Sequence, residues 1–152
     1  MDIGFAARVF FRWAHILAAV VAVGGIVFLR FILLPAARRV LDPREFDRLR
    51  EATVARWRVA AFACIGVLLV SGTFNFLAVC GPKGRASAVY HPLFGIKVVL
   101  AGAVFVIASG LVGRHQAFEP MRRKSGRWLL INVILATTVI LISGLLRNLP
   151  AP

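Results

Sequence analysis

The chain has 152 residues, 60% of them hydrophobic and 16% charged, with a mean hydropathy of +0.84; soluble globular domains average nearer half apolar and a quarter charged. A single core of this size cannot hide so large an apolar excess, which excludes an ordinary soluble domain. The net charge of +13 does not indicate nucleic acid, because the bases sit in short segments flanking apolar stretches, where an anionic leaflet is the expected neighbour.

Residues 13–34, 59–79, 93–113 and 128–146 form four apolar stretches of 19 to 22 residues. At about 1.5 Å per residue each is long enough to cross a hydrocarbon layer of roughly 30 Å. Arg30 and Lys97 are the only charged residues inside them. The expected fold is therefore all-α: a polytopic four-helix transmembrane bundle forming a single domain over 1–152.

The first stretch follows Arg8 and Arg12 and is too long for a signal-peptide core, so it is expected to remain in the mature protein. His15 lies one turn inside it, and Ala18, Ala19, Ala22 and Gly25 share its face. The next loop, 35–58, carries Arg38, Arg39, Arg44, Arg48, Arg50, Arg56 and Arg58. Within it, Asp42-Pro43-Arg44-Glu45 supplies an N-cap, a proline suited to the first helical position and an acid three residues past the cap. This pattern predicts a helix over about 43–58 that runs on into span two. The second span holds Cys64, with Cys80 at its far end. Their separation of about 24 Å along a helix excludes a disulfide. Ser71 and Asn75 stand one turn apart near the same end. His91, followed by Pro92, heads the third span, with Gly95, Gly102, Ser109 and Gly113 in register below it and Lys97 between. A second basic loop contains Arg114, Arg122, Arg123, Lys124 and Arg127, beside a solvated His115, and the fourth span runs past Asn132 and Ser143 to Arg147.

The Lys/Arg bias assigns loops 35–58 and 114–127 to the cytoplasm, and both termini and the 80–92 loop to the periplasm of a bacterial inner membrane. Trp13, Trp57, Tyr90 and Trp128 stand at span ends, which reads as an interfacial belt. Polar groups inside the membrane are costly and mark partners or sites. They fall into two layers: His15, Asn75, His91, Lys97, Ser143 and Arg147 on the periplasmic side, and Arg30, Arg58, His115 and Asn132 on the cytoplasmic side. Each small-residue stripe is headed by an imidazole. Such stripes either let helices pack closely or leave a slot for a flat cofactor between spans one and three, were these diagonal, with neighbouring axes roughly 8–10 Å apart. His15 is then a ligand or an interfacial polar residue beside Trp13. Lys97 either snorkels to the surface or takes part in chemistry, and Asn75 with Ser71 serves interhelical hydrogen bonding or ligation. Arg30 snorkels, pairs with Asn132 or the loop, or holds a propionate, phosphate or lipid head group. Glycine-rich phosphate loops, a Ser/His/Asp set and paired intramembrane carboxylates are all missing from the sequence. The only methionines are Met1 and Met121, outside the spans, so a Cu(I) path would have to rely on Cys64 for a soft ligand.

Trp13-Ala14-His15, followed by Gly25 and Phe28-Leu29-Arg30, resembles the first helix of the copper resistance D-like membrane proteins and the related HemJ-type protoporphyrinogen oxidases. Ser71-Gly72-Thr73-Phe74-Asn75 is similar to the Gly-x-x-Asn end of their second helix, and His91-Pro92-Leu93-Phe94-Gly95-Ile96-Lys97, leading to Arg114, to their lysine-bearing third helix. The resemblance implies a four-helix core and, on the HemJ side, a b-type haem with His15 as the matching first-helix histidine and Lys97 as the matching functional lysine. The further histidine about three turns after that lysine is replaced here by Ala108-Ser109.

The resulting expectation is a small cytochrome b-like protein. His15 and His91 would ligate the metal of haem b near the periplasmic face, Arg12, Lys97 or Arg147 would meet the propionates, and the role would be electron transfer. The alternatives are a copper permease using His15, His91 and Cys64, and a cofactor-free accessory subunit. Expected partners are the bilayer, anionic head groups at the cytoplasmic face, and a homo-oligomer or larger membrane complex.

Overall fold

The computed structural model describes residues 3–80, 90–113 and 115–148, with the side chains of Ile3, Val79, Cys80 and Arg147 outside the description. Every long element is helical. Helix α1 (Ile3–Phe28) passes through a π-helical segment (Leu29–Leu33) into α2 (Leu34–Val40) without leaving helical geometry. Pro35 explains the interruption, since a proline cannot donate to the preceding turn and its ring collides with the carbonyl four residues back. The helix widens there instead of ending, and Leu34 N–H bonds the Leu29 carbonyl five residues earlier.

Only Leu41 and Asp42 separate α2 from α3 (Pro43–Cys80), so most of the arginine-rich 35–58 segment is helix rather than loop. Asp42 Oδ1 accepts from the backbone N–H groups of Arg44 at 2.8 Å and Glu45 at 2.9 Å, while Glu45 Oε2 accepts from Asp42 N–H at 3.4 Å. These bonds form a reciprocal capping box on an uninterrupted 38-residue helix. After α4 (Tyr90–Val112) the second basic segment also folds locally, into a 3-10 turn (Gln116–Phe118) and a short helix α5 (Glu119–Arg123). Glu119 pairs with Arg122 at 3.5 Å and Arg123 at 3.4 Å. Helix α6 (Ser125–Asn148) completes the chain of described elements.

Four helical stretches, Gly4–Val40, Pro43–Ala78, Tyr90–Val112 and Ser125–Leu146, are long and apolar enough to cross a membrane. The first begins about two turns before the apolar stretch at residue 13, because nothing between Ile3 and Arg12 breaks a helix. Packing runs in a ring: α1 lies against α3 and α6, and α4 against the same two, which puts α1 and α4 across a diagonal. Neighbours are antiparallel. Near the end holding the start of α1, His15 meets Ser71 and Phe76 meets Phe94; near the other, Gly25 meets Trp57 and Arg58 meets Val112.

Burial is inverted relative to a soluble bundle. Trp13 is 74% and Val99 73% exposed, while the two most enclosed side chains are polar, Ser71 at 1% and Asn132 at 0%. Lipid-facing surfaces need apolar side chains, and polar groups must find partners inside. The small stripe of α1 faces α3: Ala18 is buried, and a Cβ at Gly25 would overlap three carbons of the Trp57 indole. Trp57 is thus a half-buried packing residue, fourteen positions into α3, with its indole against Gly25.

Candidate functional site

Near the end of the bundle where α1 starts, His15 reaches across to α3, with its Nδ1 2.9 Å from Ser71 Oγ. The Ser71 hydroxyl has one proton, and it is donated to the Val67 carbonyl one turn back. Oγ accepts from His15 in the tautomer that carries its proton on Nδ1, and a neutral ring of that tautomer keeps its remaining lone pair on Nε2. Gly72 permits the approach: a Cβ there would stand 3.4 Å from His15 Cε1. The site is walled by aromatic stacks, Phe11 on Phe74 at 4.1 Å and Phe76 on Phe94 at 4.3 Å between ring centroids. On the diagonal helix α4, Lys97 is half-buried, and its Nζ lies 5.9 Å from the centroid of Phe94. Asn75 is half-buried one turn beyond Ser71, and no described residue hydrogen-bonds its amide. One imidazole, one ammonium, one amide and a buried hydroxyl thus occupy one level of the bundle.

His91 does not join them. Its side chain is exposed, with an edge-on contact to Tyr90 at 6.1 Å. Gly95 and Gly102 beneath it have nothing within 4 Å of a would-be Cβ, so the second glycine stripe points out of the bundle. The reason is helical phase: six residues separate His91 from Lys97, a rotation of about 240°. With Lys97 half-buried in the bundle, His91 is carried to another, exposed face. Arg12 is also exposed, and the side chain of Arg147 lies outside the described residues. Ser143 returns its proton to Val139 O at 2.6 Å within its own helix. Cys64 is buried in α3 about 10 Å below Ser71 along the axis. Among the described residues there is no group of three or more His, Cys, Asp or Glu placed to hold a metal ion.

At the opposite end the arginines act largely as helix-end fasteners. Arg58 Nε donates to Val112 O at 2.9 Å, and Arg122 Nη1 to the carbonyls of Gly113 at 3.2 Å and His115 at 2.9 Å. Those carbonyls lie at and beyond the end of α4, where intrahelical donors run out. Arg30 Nε donates to Gly126 O at 3.1 Å and its guanidinium lies over the Phe31 ring, so its partner is the α6 backbone rather than Asn132. Asn132 is completely buried, with neither amide atom hydrogen-bonded. It lines a cavity of about 60 Å³ together with Arg50, Thr53, Trp57, Ser125 and aliphatic side chains. Sequence reasoning did not find this cavity. Its one sequence signal is an asparagine two turns inside an apolar span.

Comparison with protein-family models, with curated proteins and with solved structures finds no match for this chain.

Proposed function

We propose that the chain is a small multi-pass protein of a bacterial inner membrane, both termini periplasmic, that binds b-type haem through His15 and serves in electron transfer. The observation that carries this reading is the 2.9 Å approach of His15 Nδ1 to the Oγ of the buried Ser71. Metal-binding histidines characteristically donate one ring N–H to a fixed acceptor, which orients the ring and presents the other nitrogen. Lys97 and Asn75 supply N–H donors at the same level for a propionate. Of the two histidines only His15 would hold the group, because His91 is exposed on another face. Haem in this place would supply a one-electron carrier.

The visible spectrum of the purified protein is the test. A Soret band lost in His15→Ala and kept in His91→Ala supports the proposal, and stoichiometric copper without that band favours copper binding instead. A second reading, a cofactor-free accessory subunit, draws on the filling of the α1 stripe by Trp57. It predicts no chromophore even with added haem precursor. The assigned orientation is checked by labelling intact cells at cysteines replacing Asp42 and Lys83: only the latter should react with an impermeant reagent.

A further inference from the structure

We propose that His115 is a pH-sensitive catch on the connection between α4 and α6: its neutral ring closes the turn that follows it, and protonation opens that turn. His115 stands at the N-cap of the 3-10 turn (Gln116–Phe118) with extended backbone, φ −65° and ψ 133°. Its Nδ1 accepts from the Ala117 backbone N–H at 3.3 Å, and its carbonyl accepts from Phe118 N–H at 3.2 Å. A backbone N–H only donates, so this bond requires a lone pair on Nδ1, as in the neutral ring with its proton on Nε2. A protonated ring carries hydrogen on both nitrogens and turns a donor toward a donor. Serine, threonine, aspartate and asparagine are the usual residues at such a position. Histidine supplies the same bond with an acceptor that vanishes within the range, about pH 5–8, where imidazoles change charge.

The turn closed by this bond leads into a set of ties between helices. Phe118 and Met121, which follow it, pack on the buried Gly110 of α4, where a Cβ would stand 2.7 Å from Phe118 Cδ1 and 3.0 Å from Met121 Sδ. Arg122 Nη1 reaches back to the carbonyls of Gly113 and of His115 itself, and the Arg122 carbonyl accepts from Arg50 of α3. Freeing Ala117 N–H therefore loosens the segment that places Phe118 on α4 and carries Arg122 to Arg50. The charged groups on the elements around it are Glu119, Arg122 and Arg123 on α5, Lys124 and Arg127 at the start of α6, and Arg50 and Arg58 on α3; Arg114 lies outside the described residues. Glu119 is the one carboxylate among them, and its oxygens hold Arg122 at 3.5 Å and Arg123 at 3.4 Å. A protonated His115 either goes without a new acceptor or draws Glu119 from those arginines, and both outcomes release the catch. The device is separate from His15 and from any group bound there, and in the proposed orientation it faces the cytoplasm.

The test compares the full chain, purified in detergent, at pH 8 and pH 5.5. Amide hydrogen exchange resolved by residue, expressed as protection relative to an unstructured peptide at the same pH, reads the Ala117 bond. The nuclear Overhauser contact between the Phe118 ring and Gly110 reads the docking on α4. In the wild type, Ala117 protection should fall about fivefold at pH 5.5, the equilibrium weight of one N-cap, and the Phe118–Gly110 contact should weaken with it. His115→Asn keeps a side-chain acceptor that does not titrate, so its protection should be the same at both pH values. His115→Ala should be low at both. Equal protection of wild-type Ala117 at the two pH values would overturn the proposal. So would a fall of the same size in His115→Asn, which places the titration in another group. A loss shared equally by the amides of α3 and α6 is melting of the whole bundle and overturns it as well.

Discussion

Gly24 and Gly25 are neighbours on one helix, and adding the same methyl group to each should have opposite effects. At Gly24 a Cβ meets nothing within 4 Å, whereas at Gly25 it overlaps the Trp57 indole. In the first case only the backbone term changes, and replacing glycine inside a helix stabilises by about 0.5–1 kcal/mol. In the second, that gain is set against overpacking of about 1–3 kcal/mol, because a rigid bicyclic ring must move and α3 with it. Gly25→Ala should therefore be about 1–3 kcal/mol less stable than Gly24→Ala, which should itself be neutral or gain. Denaturant or thermal unfolding in one detergent, with both variants and wild type measured together, reads the difference. Trimming the partner in Trp57→Leu should convert Gly25→Ala into a gain like that at Gly24, so the double-mutant cycle should show coupling. If Gly25→Ala is as stable as Gly24→Ala in the native background, the close approach of α1 and α3 argued from this contact is wrong.

Asp42→Ala removes the acceptor for two backbone N–H groups at the start of α3 and should cost about 1 kcal/mol, with faster hydrogen exchange confined to residues 44–46. Ser71→Ala leaves His15 Nδ1–H without its acceptor and should destabilise by about 0.5–1.5 kcal/mol; unchanged unfolding would mean the bond contributes nothing in the folded state. Lys97→Met keeps the stem and removes the charge, so folding should hold or improve. If Lys97 anchors a propionate, haem affinity should fall by about 1.5–3 kcal/mol, measured by haem transfer to an apo-acceptor, and unchanged retention removes Lys97 from the site.

The four apolar helices and the Asp42 cap are legible in the sequence because each rests on local composition or a short-range pattern. Continuity of helix through Arg30–Val40 is not, because the apolar stretch ends at residue 34 and composition gives the arginine-rich residues after it as loop; only the observed i→i+5 bond shows that the helix passes Pro35 by widening. The placing of His15 and Lys97 at one level follows from span lengths alone. Which face each presents does not, since faces depend on which neighbours the helix acquires, and His91 and Lys97 cannot both turn inward on one straight helix. Trp57 illustrates the same dependence, because its contact with Gly25 is set by the pairing of α1 with α3. Asn132 was visible as an intramembrane amide, but the cavity beside it is a property of several helices together and leaves no mark on one segment.

The two-residue turn at Leu41–Asp42 bears on the order in which the molecule can be assembled. It makes the first two long helices a single hairpin, and the contacts His15–Ser71 and Gly25–Trp57 are both internal to that hairpin. A nascent chain entering a bilayer can therefore shield its first intramembrane imidazole before the third and fourth spans have been made. Arg50 and Asn132 have no such early solution: Arg50 bonds Arg122 and Ser125, and the cavity wall includes Asn132 itself. The end of the bundle with His15 is closed by local folding, and the end with Asn132 closes only when the last helix arrives.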